Sequence, residues 1–292
     1  MAFPIGVVAV YAALFVWAAL FVQAMRTRSF RYVIIFGLLF AVYLNVRYLV
    51  EGAPAGIAFF IGIYDVVNNL FIGSEMPGGM APCVGGPETC SVWGERYAWH
   101  SSWGVAFHER FASGSEFRSL LLYCHLTCNT LAFLLLHAQM ARPGGSFAGV
   151  SHKMLGRITF AAMTIGVICA VWLASQHGSV TEYGGGWAQY GFYSMGAFVF
   201  GTALMGVLAI RGGDPAGHRV WMWRFAGSMW GSFWLFRAML LFLDPALRGY
   251  ESAAILTCIW GSAPLGIVIA EMIRRYVDSR AHAGAPAATA AE

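Results

Sequence analysis

The 292-residue chain has little charge: only 11% of its residues are Asp, Glu, Lys or Arg, where a soluble domain usually carries about 25%. That shortfall excludes an ordinary water-soluble globule. The net charge of +4 is modest, and there is no long basic run or stripe of alternating basic and aromatic side chains, which argues against nucleic acid as a partner. A glycine-rich nucleotide loop, an internal repeat and a recognisable flavin or nicotinamide domain are also missing. The opening residues Met1-Ala-Phe-Pro-Ile5 lack the basic start and the Ala-x-Ala cleavage site of a secretory leader, so the first apolar block is expected to be kept as a span.

What the chain has in abundance is apolar sequence, at 59% hydrophobic residues and a mean hydropathy of +0.63. The apolar residues fall in separate blocks, each close to the roughly 20 that a helix needs to cross about 30 Å of hydrocarbon. Seven blocks meet this condition: Pro4 to Met25, Tyr32 to Val50, Leu120 to Ala141, Leu155 to Gln176, Trp187 to Ile210, Val220 to Leu243 and Ala253 to Ile273. The pattern predicts an all-α, polytopic transmembrane helix bundle of about seven spans, with the lipid bilayer as its principal partner.

Basic residues favour the cytoplasmic side of a span. Arg26, Arg28 and Arg31 lie between spans one and two; Arg142, Lys153 and Arg157 between three and four; Arg211 and Arg219 between five and six; and Arg274, Arg275 and Arg280 after span seven. With seven spans all four clusters fall on one side. The expected placement is a multi-pass protein of the inner membrane, N-terminus outside and C-terminus cytoplasmic. The block from Ala55 to Gly73 is also long enough to cross, but Asp65, Asn68 and Asn69 share one helical face, and a crossing there would split the basic clusters between two sides. An amphipathic or re-entrant helix on the outer face is expected there instead.

Four divisions follow: 1–54, two N-terminal spans; 55–117, an outer amphipathic segment and polar loop; 118–276, a five-span core; and 277–292, a disordered Ala-rich tail. Within the outer loop, Cys83 and Cys90 lie seven apart. An exported loop sits in an oxidising compartment, which favours a disulfide between them over a metal clip. The other cysteines (Cys124, Cys128, Cys169, Cys258) lie inside apolar blocks, where a thiol behaves as a small hydrophobe.

Ionisable groups inside a bilayer are costly and generally face the bundle interior, so the few present are the informative ones. They sort by depth into an outer layer (His125, His177, Arg237) and an inner layer (His137, His152, His218, Arg157, Arg224). Bis-histidine ligation of haem iron needs two imidazoles from facing helices at one depth, and nearby arginines pair with propionates. His125 and His177 are candidate ligands of an outer haem b, and His137 with His218 or His152 of an inner one. Two observations weigh against this. Histidines at span ends, such as His152, His177 and His218, often simply occupy the interface, and the twelve residues from His125 to His137 turn a helix by about 120°, so the two face different neighbours. Arg224 and Arg237 have the ordinary alternative of snorkelling to the nearer interface.

The residues His125, His152-Lys-Met-Leu-Gly-Arg157, His218-Arg-Val-Trp-Met-Trp-Arg224 and Arg237 resemble a family of multi-spanning membrane proteins, the one carrying domain of unknown function 2306. The resemblance covers roughly Leu120 to Arg275, and it implies a fold type and a polar residue set without an activity. The His-x-x-Leu-Gly-Arg string is also similar to cytochrome b561-like and ferric-reductase-like proteins, which implies haem. The leading expectation is a b-type haem protein passing electrons across or within the bilayer, dependent on separate redox partners. A haem-free membrane enzyme acting on a lipid or small molecule at a His/Arg site, and an accessory subunit of a membrane complex, are the alternatives.

Overall fold

The computed structural model describes residues 5–27, 29–50, 115–141, 145–146, 149–175, 185–247 and 251–283. Helices α1 (Ile5–Thr27), α2 (Arg31–Val50), α3 (Glu116–Ala141), α4 (His152–Ala174), α5 (Gly186–Arg211) and α6 (Pro215–Trp230) follow in order. A π turn over Gly231–Leu235 joins α6 to α7 (Phe236–Ala246), and α8 (Glu251–Ala283) closes the chain. With α6 and α7 forming one rod, these make seven rods in place of the seven apolar blocks. The all-helical membrane bundle read from the sequence is the fold. The Ala55–Gly73 block, the Cys83/Cys90 pair and His177 lie outside the described residues.

Two of the helices, α4 and α6, have capped starts. The Ser151 hydroxyl accepts the Met154 N–H at 3.4 Å and caps α4, while the Asp214 carboxylate accepts the Gly217 N–H at 2.8 Å and caps α6, with Pro215 in its first turn. Gly213 takes φ +77° in the tight connection between α5 and α6, a backbone conformation that suits glycine. The helices α3, α4 and α5 and the stretch Ala253–Ser279 of α8 are each long and apolar enough to cross a membrane. At 26 residues α3 measures about 39 Å, more than the hydrocarbon core requires. Large apolar side chains on the outside of the bundle, Leu39, Ile168 and Met272 among them, are 63–65% exposed, an arrangement that only lipid makes favourable.

Lipid is as apolar as leucine, so the rods are held by close packing and by bonds between them. The main core gathers Phe133 and Leu136 of α3, Met163 of α4, and Phe225 and Met229 of α6. A second cluster of Leu240, Ile255, Cys258 and Ile259 joins α7 to α8 near the other end. The backbones of α6 and α8 touch: a Cβ at Gly227 would lie 2.5 Å from the Gly266 carbonyl oxygen and 2.6 Å from the Ala270 Cβ. The run Gly227-Ser-Met-Trp-Gly231 therefore marks a true close crossing. Gly201, another small residue at helical spacing, has nothing within 4 Å of its would-be Cβ and marks none.

Two features depart from the sequence expectation. The sixth block does not run as an unbroken helix, because the π turn interrupts it. There the carbonyls of Ser232 and Phe233 accept Arg237 Nη1 at 3.2 and 2.6 Å. The last helix continues to Ala283, past the expected span end at Ile273 and into the stretch read as tail. It is tied there by Arg219, which donates to Asp278 at 2.6 Å, and by the Tyr276 hydroxyl, which donates to the Met25 carbonyl at 3.4 Å. Those contacts draw the ends of α1, α6 and α8 together, so the basic clusters of these rods share one end of the bundle.

Candidate histidine sites in the bundle

At the depth of Gly166 on α4, His125 of α3 brings its Nδ1 within 3.0 Å of the Gly166 carbonyl oxygen and 2.9 Å of the Asn129 side-chain amide. A carbonyl oxygen can only accept, and two lone pairs at that distance would repel, so Nδ1 carries the proton and donates it. The oxygen and nitrogen of an amide are assigned by their hydrogen bonds, and a donating Nδ1 assigns the Asn129 oxygen to the side facing the ring. The second nitrogen, Nε2, keeps its lone pair. A Cβ at position 166 would lie 2.5–2.9 Å from the atoms of the Asn129 amide, so a side chain there would push Asn129 away from the ring. Arg237, beyond the π turn, is close enough for its charge to be felt at the ring.

The same device recurs at the arginine-rich end. The Nδ1 of His218 on α6 lies 2.8 Å from the carbonyl oxygen of Gly206 on α5 and donates to it, again leaving Nε2 as the lone-pair nitrogen. His152, at the first turn of α4, lies near enough for the two rings to repel when charged. Its Nδ1 is buried and has no hydrogen-bond partner among the described residues. His152 and the Gly166 level of His125 are fourteen residues apart on α4, about 21 Å along the helix. The two glycine-anchored imidazoles thus occupy opposite halves of the bundle.

His137 does not join either place. Its Nδ1 donates to the Phe133 carbonyl at 2.7 Å, and its Nε2 accepts the indole N–H of Trp230 at 2.8 Å. Both ring nitrogens are committed and the residue is 2% exposed, so it fastens α3 to α6 and has no lone pair left for a metal. Around it run stacked and tilted rings, with Phe133 and Phe233 at 4.7 Å and Trp230 and Trp234 at 6.2 Å between centroids.

The arginines divide as well. Arg224 follows His218 by six residues, which carries it about 240° round α6. There it stacks over Trp221 at 4.6 Å and faces Glu271 of α8 at 3.7 Å, away from the inner histidines. Arg157 is exposed on α4. Glu271 is the hub of an ion network: it accepts both Arg274 Nη2 and Nε, at 2.7 and 3.1 Å, and Arg275 Nε at 2.9 Å. Arg274 also donates to Asp278 at 2.7 Å. Glu271 and Asp278 are not among the residues that depth within the spans singles out, because both lie at the end of the last span. Their spacing to Arg274 and Arg275, three and four residues along one helix, was the available signal.

No group of three or more His, Cys, Asp and Glu side chains suited to a metal ion occurs among the described residues. The thiols of Cys124 and Cys128 lie 4.0 Å apart, and neither these two nor Cys169 and Cys258 form a disulfide. Residues 122–273, just over half of the chain, match a family model described as predicted membrane protein, DUF2306. No curated protein and no solved structure matches the chain.

Proposed function

Since the chain belongs to the DUF2306 family of predicted membrane proteins and is an integral membrane protein, we propose that it binds b-type haem and passes electrons across the bilayer. The observation that carries this reading is the pair of anchored imidazoles, His125 on Gly166 and His218 on Gly206. Fixing Nδ1–H on a backbone carbonyl sets the tautomer, holds the ring still and raises the basicity of Nε2, which is how metal-ligating histidines are prepared. What supports the reading is two prepared imidazoles at two depths, a second imidazole with an orphaned nitrogen (His152) in the half of the inner one, and a cation (Arg237) whose charge reaches the outer one.

Haem contributes a one-electron couple when bound. The chain's part is to hold the two rings, to exclude water with the aromatic core around His137, and to offset propionate charge, with Arg237 in the outer half and Arg157 at the arginine-rich end. We place that end in the cytoplasm on the positive-inside rule. The electrons are exchanged with separate donor and acceptor proteins or small carriers.

The test is a reduced-minus-oxidised visible spectrum of detergent-purified protein expressed with haem supplied, for wild type, His125→Ala and His218→Ala. Each variant is expected to lose about half of the α-band while His137→Gln keeps it. Folded wild-type protein without visible absorbance would end the proposal. The π turn favours one second reading: its carbonyls receive the Arg237 guanidinium, whose charge reaches His125, and a cation so held suits an anionic group on a lipid-soluble substrate of a haem-free enzyme.

A further inference from the structure

The Glu271 network sits beside a groove in the lipid-facing surface. About 540 Å³ in volume, the groove runs between α5, α6 and α8 and is walled by Phe198, Thr202, Ile267, Val268 and Met272. Its end toward the arginine-rich side of the bundle is closed by Trp221, Arg224, Glu271 and Arg275. Apart from that end the walls are almost wholly hydrocarbon, and Val268 and Met272 are 55% and 65% exposed.

The charge at the closed end does not cancel. Four guanidinium groups (Arg219, Arg224, Arg274, Arg275) meet two carboxylates (Glu271, Asp278), and Arg274 alone takes up both Glu271 oxygens and one of Asp278. Arg275 and Arg224 face Glu271 only through Nε, so their Nη groups have no hydrogen-bond partner among the described residues. Those are the donors that pair with the oxygens of a phosphodiester. Arg224 is further held in place by the Trp221 ring beneath it. A fixed cationic excess at the headgroup level, opening onto an apolar groove that runs toward the bilayer middle, has the layout of a phospholipid.

We propose that this groove is a binding site for one anionic phospholipid of the leaflet at the arginine-rich end, with its phosphate on Arg224 and Arg275 and an acyl chain against Val268 and Met272. Basic pockets between transmembrane helices recognise anionic headgroups by this combination of charge and depth. Glu271 sets the selectivity. It repels an anion that comes too close, it accepts the Arg275 Nε–H at 2.9 Å and it faces Arg224 Nε at 3.7 Å, which leaves the outer edges of both guanidinium groups to receive the phosphate.

The experiment is native mass spectrometry of the full chain in detergent, titrated with dioleoyl phosphatidylglycerol or with dioleoyl phosphatidylcholine, which has the same chains. A single phosphatidylglycerol is expected to bind at least tenfold more tightly than phosphatidylcholine. Arg275→Gln and Arg224→Gln are each expected to weaken it about fivefold. Arg275 is 73% exposed, so its variant folds even if Arg224→Gln does not. Val268→Trp, which fills the groove from an outward position, is expected to abolish the tight site, and glycerol phosphate without acyl chains is expected not to compete. Equal binding of the two lipids, undiminished binding by Arg275→Gln and Val268→Trp, or full competition by glycerol phosphate would each overturn the proposal.

Discussion

Substituting alanine at two glycines of the same bundle should move stability in opposite directions. Alanine favours a helix over glycine by about 1 kcal/mol at any interior position. At Gly201 of α5 the added methyl meets nothing within 4 Å, so Gly201→Ala should stabilise the protein by about that amount. At Gly227 of α6 the methyl would sit 2.5 Å from the Gly266 carbonyl oxygen and 2.9 Å from its carbon, atoms of the backbone of α8 that cannot swing aside. Forcing a methyl into a packed contact costs typically 1–3 kcal/mol, and a backbone obstacle puts the cost near the top of that range, about 3 kcal/mol. Subtracting the propensity gain leaves Gly227→Ala destabilised by about 2 kcal/mol. The midpoint of thermal unfolding in detergent, followed by the fluorescence of the 11 tryptophans, should fall by about 4–8 °C for Gly227→Ala and rise by a few degrees for Gly201→Ala. If the two variants shift together, or if Gly227→Ala is the more stable, the α6–α8 crossing is not set by glycine contact and the packing argument fails.

Two further outcomes are expected. Trp230→Phe keeps the ring but removes the N–H that His137 Nε2 accepts, leaving a buried acceptor unpaired at a cost of about 1–3 kcal/mol; a double-mutant cycle with His137→Leu should return a coupling of the same sign, and additive effects would exclude the bond. In the ion network, Arg274→Gln removes the donor shared by Glu271 and Asp278, whose side chains are 17% and 25% exposed, and should destabilise by about 1–3 kcal/mol in denaturant unfolding, whereas removing the 73%-exposed Arg275 should cost less than about 1 kcal/mol. Equal losses for the two arginines would contradict the hub arrangement.

The rods were legible because hydrocarbon thickness imposes a length that local composition reveals without knowledge of neighbours. The shared end of the basic clusters was legible for the same reason, since charge is excluded from the bilayer one residue at a time. The α6–α8 crossing could be read from Gly227 and Gly231, while Gly201 shows that small residues permit a close approach without causing one. The chemistry of the histidines was not readable, because each depends on a partner distant in sequence: Gly166 is 41 positions from His125 and Trp230 is 93 from His137. His137 looked like a candidate ligand by depth alone, and only the indole donor opposite it shows that its lone pair is taken. Arg224 was grouped with the inner histidines by depth, yet its angle round α6 sends it to Glu271. The π turn had no sequence signal beyond the glycine at its first position.

That turn gives the sixth rod a property the other rods lack. A π turn bonds each carbonyl to the fifth residue onward instead of the fourth, so it holds one more residue than an α turn of the same reach. It is in effect a single-residue insertion absorbed inside a membrane span. Deleting one residue from Gly231–Leu235 would restore ordinary helical winding over the same reach, so everything after it, Arg237 included, would keep nearly its present direction relative to α3 and α8. A change of one codon could thus take away the turn whose Ser232 and Phe233 carbonyls receive the Arg237 guanidinium while leaving the bundle standing. Related chains that share the fold can therefore differ sharply in what this corner does, according to whether the extra residue is present.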